Sequence, residues 1–220
     1  MKKSNIFTFY PILINLKRFP CLVVGGGQVA FRKIQSLLSY DVSITVLSPK
    51  VCQPIRALIK KNKIKIIPKP YSKKYIKNFK IIFSATNKHK INEQVYSDCK
   101  TENKLLNVVD VPELCDFILP AVVQRGDLSI SVSSQGRAPF FVKEMKNKLD
   151  HIFPSYYEDI IDLAGNFRST IMKDKKLNSP KIKEKAFTKF FMIDWKKVLK
   201  NEGKRKANEY MLKIIKEIQL

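Results

Sequence analysis

Four short stretches of this 220-residue chain hold residue types that can do chemistry. In the first, Gly25-Gly26-Gly27-Gln28-Val29-Ala30 follows the apolar run Cys21–Val24 and leads straight into helix-like spacing. Glycines at the first and third positions, with alanine at the sixth, form a G-x-G-x-x-A turn. Gly25 would let the chain turn tightly, Gly27 would let the backbone approach a pyrophosphate, and Ala30 would keep helix and strand close. A diphosphate placed there would meet N–H groups at a helix N-terminus, where the helix dipole favours negative charge. Glycine turns also join strands to helices without any ligand, so the motif alone leaves both readings open.

The second stretch, Ser84-Ala85-Thr86-Asn87, is a polar step after an apolar run. Such a step either lines the ligand crevice at the carboxyl edge of an open α/β sheet or caps the next helix. The third, residues 107–121, places Asp110 just beyond an apolar strand and Asp116 further along. A carboxylate at Asp110 could act as a general base or orient a substrate nitrogen. Equally, a strand-end Asp commonly binds nearby backbone N–H groups, and Asp116 carries the same ambiguity. The fourth, Val132–Pro139, contains Ser133, Ser134, Gly136 and Arg137. Its hydroxyls, N–H groups and guanidinium could hold an anion or merely cap the helix that follows. An acidic residue about 20 positions beyond the glycines usually binds the ribose of a dinucleotide, but here the chain reads Ser48-Pro49-Lys50. Either backbone groups hold the cofactor at that point or Lys50 meets a 2′-phosphate.

These groups need elements to position them. Strands are expected at Cys21–Val24, Ser43–Leu47, Ile64–Ile67, Lys80–Ser84 and Leu105–Val108. Helical spacing fills Gln28–Ser39, Val51–Lys60 and Ile91–Lys100, and Ser72–Lys77 supplies a short helical turn. The alternation predicts an α/β fold with a Rossmann-like, doubly wound parallel sheet. Tyr10–Leu16 is expected to add an edge strand or a packing arm. After Asp110 the rhythm changes. Phe117–Val123 and Leu128–Val132 predict a hairpin about Gln124-Arg125-Gly126-Asp127, in which the Arg-Gly-Asp triplet is a turn rather than an adhesion motif. Helices follow at Phe140–Ile152, Ser155–Met172, Lys185–Lys200 and Lys206–Ile218, with Lys173–Lys183 as a loop because of Pro180.

Composition narrows the function classes. The net charge of +23 comes almost wholly from lysine, with only seven arginines, spread along the chain. Without the aromatic–basic interleaving of a strand-binding groove, that pattern argues against nucleic acid as the main partner, while its field would gather polyanionic small molecules. No apolar run reaches the ~20 residues of a membrane span, and no signal peptide is read at the N-terminus. Cys21, Cys52, Cys99 and Cys115 form no C-x-x-C pair, so reduced thiols in a cytoplasmic protein are expected. His89 and His151 are the only histidines and no metal-ligand spacing occurs, so no dedicated metal cage is expected.

In order along the chain, the glycine loop with Arg32-Lys33, Ala85-Thr86-Asn87, Asn107-Val108-Val109-Asp110 with Pro112, Phe117-Ile118-x-Pro120-Ala121 and Val132-Ser133-Ser134-x-Gly136-x-Ala138-Pro139 resemble the siroheme synthase family. These are NAD-dependent precorrin-2 dehydrogenases, some of which also chelate iron. The resemblance runs through about residues 6–155 and is loose beyond about 165. It implies an NAD-binding Rossmann domain at 1–112, a dimerisation region at 113–150 and a C-terminal helical region at 151–220, in a homodimer. It implies oxidation of precorrin-2 to sirohydrochlorin for siroheme or cobalamin, with Fe2+ or Co2+ as a further substrate in members that chelate. Asp110 matches the catalytic aspartate. Gly25, Gly26, Gly27, Gln28, Val29, Pro49, Lys50, Ala85 and Thr86 match the cofactor contacts, and the family's lack of a ribose acid favours NAD over NADP. Ser134 matches a serine of the tetrapyrrole site that is phosphorylated in some members, and Ser133, Gly136, Arg137, Lys143 and Lys146 are expected beside it as contacts for the substrate's carboxylates. Lys143 and Lys146 stand where arginines are expected, which keeps charge but loses bidentate carboxylate recognition. The methyltransferase domain of the fused members has no counterpart in these residues, so this sequence is not expected to make precorrin-2 itself. Two other classes compete. A non-catalytic NAD-sensing module would bind the cofactor without turnover, and a nucleic-acid binder would show steeply salt-dependent affinity.

Overall fold

The computed structural model describes residues 9–177 and 179–219. Two compact units divide the chain, the first ending at Leu119 and the second beginning at Pro120.

The first unit is a five-stranded parallel sheet: β1 (Cys21–Val24), β2 (Ile44–Leu47), β3 (Lys65–Ile67), β4 (Ile81–Ser84) and β5 (Leu105–Val108), in the order β3-β2-β1-β4-β5. Val23 faces Val46 on one side and Phe83 on the other. Because successive side chains point to opposite faces, the continuous apolar runs serve two cores. Cys21, Val23, Ile44, Val46, Ile81 and Phe83 meet α1 (Gln28–Leu38) and α2 (Gln53–Lys60) through Ala30, Ile34, Leu37 and Ile55. Leu22, Val24, Ile82, Leu106 and Val108 meet α3 (His89–Thr101) through Val95 and Cys99. The sheet is thus covered on both faces, as an all-parallel sheet requires.

Tyr10–Leu16 does not add an edge strand. Pro11 cannot donate to a ladder, and Asn15 accepts from Lys17 N to start a short 3₁₀ turn at Leu16–Arg18. Ile14, Leu16 and Phe19 instead pack on the core as an arm.

The second unit opens with the antiparallel pair β6 (Ala121–Arg125) and β7 (Leu128–Val132), joined by the two residues Gly126 and Asp127. The expected strand at Phe117–Val123 therefore starts four residues later and ends later. Phe117 is retained by the first unit, where its ring stands edge-on to Phe83 at 5.5 Å and its carbonyl accepts from Asn107 Nδ2 at 3.0 Å. The Arg-Gly-Asp triplet is a hairpin turn, with Gly126 at φ +53°. Helix α4 (Pro139–Ile152) packs on β6. Arg125 joins the two: its Nε donates to the Phe153 carbonyl and its Nη2 to Asp150 Oδ1 at 3.0 Å.

The helices α5 (Tyr157–Lys173), α6 (Pro180–Phe191), α7 (Trp195–Asn201) and α8 (Gly203–Gln219) share a core around Phe167, Phe190 and Trp195. Two sequence expectations fail here. Pro180 does not break a helix but begins α6, a position where its missing N–H costs nothing, and Ser179 caps it by accepting from Ile182 N. The expected helix Lys185–Lys200 is two. Trp195 turns its indole onto Phe190, ring centroids 4.6 Å apart, and its Nε1 donates to the Phe190 carbonyl at 2.8 Å. That bond satisfies a carbonyl at the end of α6, and Asp194 caps the next helix by accepting from Lys197 N.

Candidate functional site

The strand order reverses beside β1, since β2 lies to one side and β4 to the other. Ligands of open α/β sheets bind outside the carboxyl ends of strands at such a switch point. The backbone ladder runs on past the strand ends there. Gly25 N donates to the Leu47 carbonyl at 3.0 Å, Ala85 N to the Val24 carbonyl at 2.8 Å and Val109 N to the Ser84 carbonyl at 2.9 Å. The loops after β1, β4 and β5 therefore leave one edge in register. A crevice of about 780 Å³ lies along it.

The sequence-expected cofactor residues Gly25, Gly26, Gly27, Gln28, Val29, Pro49, Lys50, Ala85 and Thr86 all line this crevice, and so does Asp110. The glycines have distinct reasons to be glycine. Gly25 has φ +121°, and a Cβ there would stand 2.3 Å from the Ala85 carbonyl oxygen. A Cβ on Gly26 would stand 2.1 Å from the Lys50 carbonyl oxygen and 2.8 Å from Ser48 Oγ. Around the Cβ position of Gly27, no described residue beyond its chain neighbours comes within 4 Å, so its small size leaves open space beside the crevice it lines. Gly27 is also the N-cap of α1 and makes no side-chain cap bond. The first-turn N–H groups thus lack a capping acceptor and suit an anion. This cradle fits a dinucleotide diphosphate.

Side-chain hydrogen bonds around the crevice, which the sequence does not reveal, shape its loops. Ser48 Oγ donates to the Lys50 carbonyl at 2.6 Å and shapes the turn after β2. Asn92, buried on α3, accepts from Ser84 Oγ at 2.8 Å through Oδ1 and donates to the Thr86 carbonyl at 3.2 Å. Those two bonds hold the strand-to-helix step. Thr86 Oγ1 in turn accepts from Lys88 N at 3.1 Å, so Thr86 both lines the crevice and supports the helix start. Tyr71 also lines the crevice. Burial and the Asp98 carboxylate, which accepts from its hydroxyl at 2.9 Å, push its phenol up, so it stays neutral.

Asp110 is exposed in the turn after β5 and has φ +64°, in the left-handed region that Asp tolerates better than most residues. Asp116 has the bland role: its Oδ2 accepts from Leu106 N at 2.9 Å and its N donates to the Leu106 carbonyl at 2.8 Å. Lys33 is half-buried on α1. Burial holds its ammonium below the usual lysine range, against the pull of Asp110 and Cys115.

The other expected residues lie in the second unit. Ser134 Oγ accepts from Ala138 N at 2.9 Å and Ser133 Oγ from Gln135 N at 3.1 Å, with Gly136 at φ +80°. The loop is therefore folded on its own hydroxyls, and each hydroxyl keeps its proton for an acceptor. Arg137 and Lys143 are exposed. Lys146 differs, because its Nζ donates to Asp150 Oδ2 at 2.7 Å, completing a bridge with Arg125. Hydrogen bonds from Lys146 and then Arg125 hold the Asp150 carboxyl below its usual range. Among the described residues, no group of three or more His, Cys, Asp or Glu side chains is placed to hold a metal ion, and no helix is long and apolar enough to cross a membrane.

A parallel sheet with a glycine turn and an uncapped helix start at its switch point defines a dinucleotide-binding α/β protein. Residues 12–121 match the model of a family described as "Putative NAD(P)-binding". The chain is 38% identical over 162 residues to a siroheme synthase of Psychrobacter sp. (strain PRwf-1), covering 74% of this chain and 33% of that one. It is 39% identical over 163 residues to a siroheme synthase of Ruthia magnifica subsp. Calyptogena magnifica, covering 74% and 34%. The chain spans about a third of the length of these relatives. The solved structure of SirC, precorrin-2 dehydrogenase, superposes with a TM-score of 0.75 at 26% identity, covering 93% of this chain and 100% of that one. The chain belongs to this NAD(P)-binding family, in the form shared with siroheme synthases.

Proposed function

We propose that this protein oxidises precorrin-2 to sirohydrochlorin with NAD+ as the acceptor. The observation that carries the reading is one sheet edge bearing both a diphosphate cradle and the exposed carboxylate of Asp110. The likeness to SirC along nearly the whole chain supports the substrate. The reaction removes one hydride and one proton from the macrocycle. NAD+ supplies the hydride acceptor when bound. Gly25, Gly26 and Gly27 with the N–H groups of Gln28 and Val29 would hold its diphosphate, Pro49 and Lys50 would hold its ribose, and Ala85 and Thr86 line the crevice beside them. Asp110 receives the proton, a role suited to an exposed carboxylate on the crevice wall.

The second unit supplies anion contacts for the tetrapyrrole carboxylates through Ser133, Ser134, Gly136, Arg137 and Lys143. Lys146 contributes through its bridge to Asp150 rather than directly. A homodimer is supported by α4, which has no buried residue, and by Phe140, Phe141 and Ile152, which are exposed along it. In this division 1–112 binds NAD, 113–150 dimerises and 151–220 is the helical region, although residues 113–119 pack with the first unit. Four free cysteines support a reducing, cytoplasmic setting. Some siroheme synthase relatives also insert metal into sirohydrochlorin; in such a step Fe2+ or Co2+ would be a substrate and Asp110 would take the pyrrole protons.

The test is anaerobic. Precorrin-2 with NAD+ should give the absorbance of sirohydrochlorin and NADH in equal amounts, and Fe2+ or Co2+ added afterwards reads chelation. NAD+ binding without turnover would instead leave a cofactor-sensing module.

A further inference from the structure

Among the described residues only β4 pairs with β5, which makes it an edge strand. The N–H groups of Leu105 and Val109 turn inward and donate to the Lys80 and Ser84 carbonyls, so the backbone groups of Leu106 and Val108 turn outward and need partners. The chain just beyond Asp110 folds back to supply them. Asp116 serves Leu106 at both its N–H and its carbonyl. Cys115 serves Val108: its Sγ lies 3.2 Å from Val108 N, 3.2 Å from the Val108 carbonyl oxygen and 3.3 Å from the Val111 carbonyl oxygen. A thiol has one proton, so Sγ accepts from Val108 N and donates to one of the two carbonyls. Burial keeps the thiol protonated by pushing it up from its ordinary range. Between Val108 and Val111, the two residues gathered by this one sulfur, stands Asp110 in its left-handed conformation.

We propose that Cys115 is a positioning residue for Asp110, its thiol clasping both ends of the turn that places Asp110 on the crevice wall. The purpose of the clasp rests on the catalytic reading of Asp110 above. A left-handed non-glycine residue persists where its surroundings over-determine it; backbone bonds from Val109 N to the Ser84 carbonyl at 2.9 Å, Val111 N to the Val108 carbonyl at 3.3 Å and Leu114 N to the Val111 carbonyl at 3.1 Å hold the turn, and the Cys115 sulfur is the side-chain group that joins Val108 to Val111. Removing the thiol leaves the outward Val108 N–H without an acceptor and frees the turn to relax. Since displacement of a reacting group by about 1 Å costs up to 100-fold in rate, the loss should appear in kcat.

The experiment compares Cys115→Val, which keeps volume but cannot hydrogen-bond, with Cys115→Ser, which can, in the full-length protein. Cys115→Val should lower kcat for precorrin-2 oxidation roughly ten- to 100-fold while KM for NAD+ stays within about twofold. Cys115→Ser should recover much of that loss. Amide hydrogen exchange should speed up at Val108 and Val111 in Cys115→Val and not at Val23 or Val46 in the sheet centre. Wild-type kcat in Cys115→Val would overturn the proposal. So would a parallel fall in NAD+ affinity with faster exchange throughout the sheet, which marks a merely structural residue. Full turnover by Asp110→Ala would remove the catalytic reading instead, whereas unchanged exchange at Val108 and Val111 would sink the clasp alone.

Discussion

Replacing Gly26 and Gly27 separately by alanine should split folding from cofactor binding. At Gly26 the added methyl would meet the Lys50 carbonyl oxygen at 2.1 Å. The loop cannot slide away without loss, because the Gly26 carbonyl accepts from Cys52 N at 2.8 Å. Overpacking of this kind costs about 1–3 kcal/mol, and the strained hydrogen bond about 1 kcal/mol more. Gly26→Ala should therefore destabilise the first unit by about 2–4 kcal/mol, lowering its melting temperature by several degrees. Gly27→Ala meets no described residue beyond its chain neighbours within 4 Å. Its cost as a poorer N-cap, about 0.5–1 kcal/mol, is offset by about 0.4–1 kcal/mol from a stiffer unfolded chain. Its melt should stay near wild type. The methyl would, however, stand between the start of α1 and a bound diphosphate. Losing one charge-assisted hydrogen bond there, about 1.5–3 kcal/mol, corresponds to roughly ten- to 100-fold in Kd. Circular dichroism melts and calorimetric NAD+ titrations read both quantities. Wild-type NAD+ affinity in Gly27→Ala would refute the assignment of the diphosphate to the start of α1.

Asp110→Ala should bind NAD+ normally and oxidise precorrin-2 at least about 100-fold more slowly; near-normal turnover in the stopped anaerobic assay would contradict its role as base. Arg137→Gln and Lys143→Gln should each raise KM for precorrin-2, more so at low salt, whereas Lys146→Gln should chiefly cost α4 its i,i+4 pair with Asp150 and leave the Arg125 link to the hairpin in place; equal KM effects from all three would mean that the Asp150 bridge opens on binding. Alkali should weaken the fold through its buried thiols. Burial raises Cys21 from 9.0 to about 11 and Cys99, chiefly by burial, from 9.0 to about 12. In the unfolded chain these thiols lose their protons near pH 9, while the folded state retains them, so their contribution is intact below about pH 9 and disappears as pH rises through about 11 to 12. Denaturant midpoints measured from pH 8 to 11 should fall in the wild type and flatten in Cys21→Val; a flat wild-type curve would count against the burial of these thiols.

Much of the architecture was legible before any coordinates. Cys21–Val24, Ile44–Leu47 and Ile81–Ser84 are apolar at every position but Thr45 and Ser84, because a parallel strand is buried on both faces and tolerates little else. Gly25 to Ala30 marks the cofactor loop, since local backbone conformation and close approach restrict residue type directly. The failures came where caps and side-chain packing overrode residue propensity. Pro180 reads as a breaker until its neighbour Ser179 is seen capping a helix. The run Lys185–Lys200 reads as one helix until Trp195 turns back onto the Phe190 carbonyl.

The site divides in the same way. Residue types limited by backbone geometry or by burial on two faces are written in the chain, and with them the glycine turn, the strand ends and the place of Asp110 on the carboxyl edge. Side-chain partnerships are not, because they depend on which atoms the fold brings within about 3 Å. Lys146, Arg137 and Lys143 look alike as charges along a chain of net charge +23. Folding occupies Lys146 with Asp150, leaves the other two facing solvent, assigns Asp116 to the edge of β5, and makes the Cys115 sulfur a hydrogen-bonding neighbour of the turn that carries Asp110.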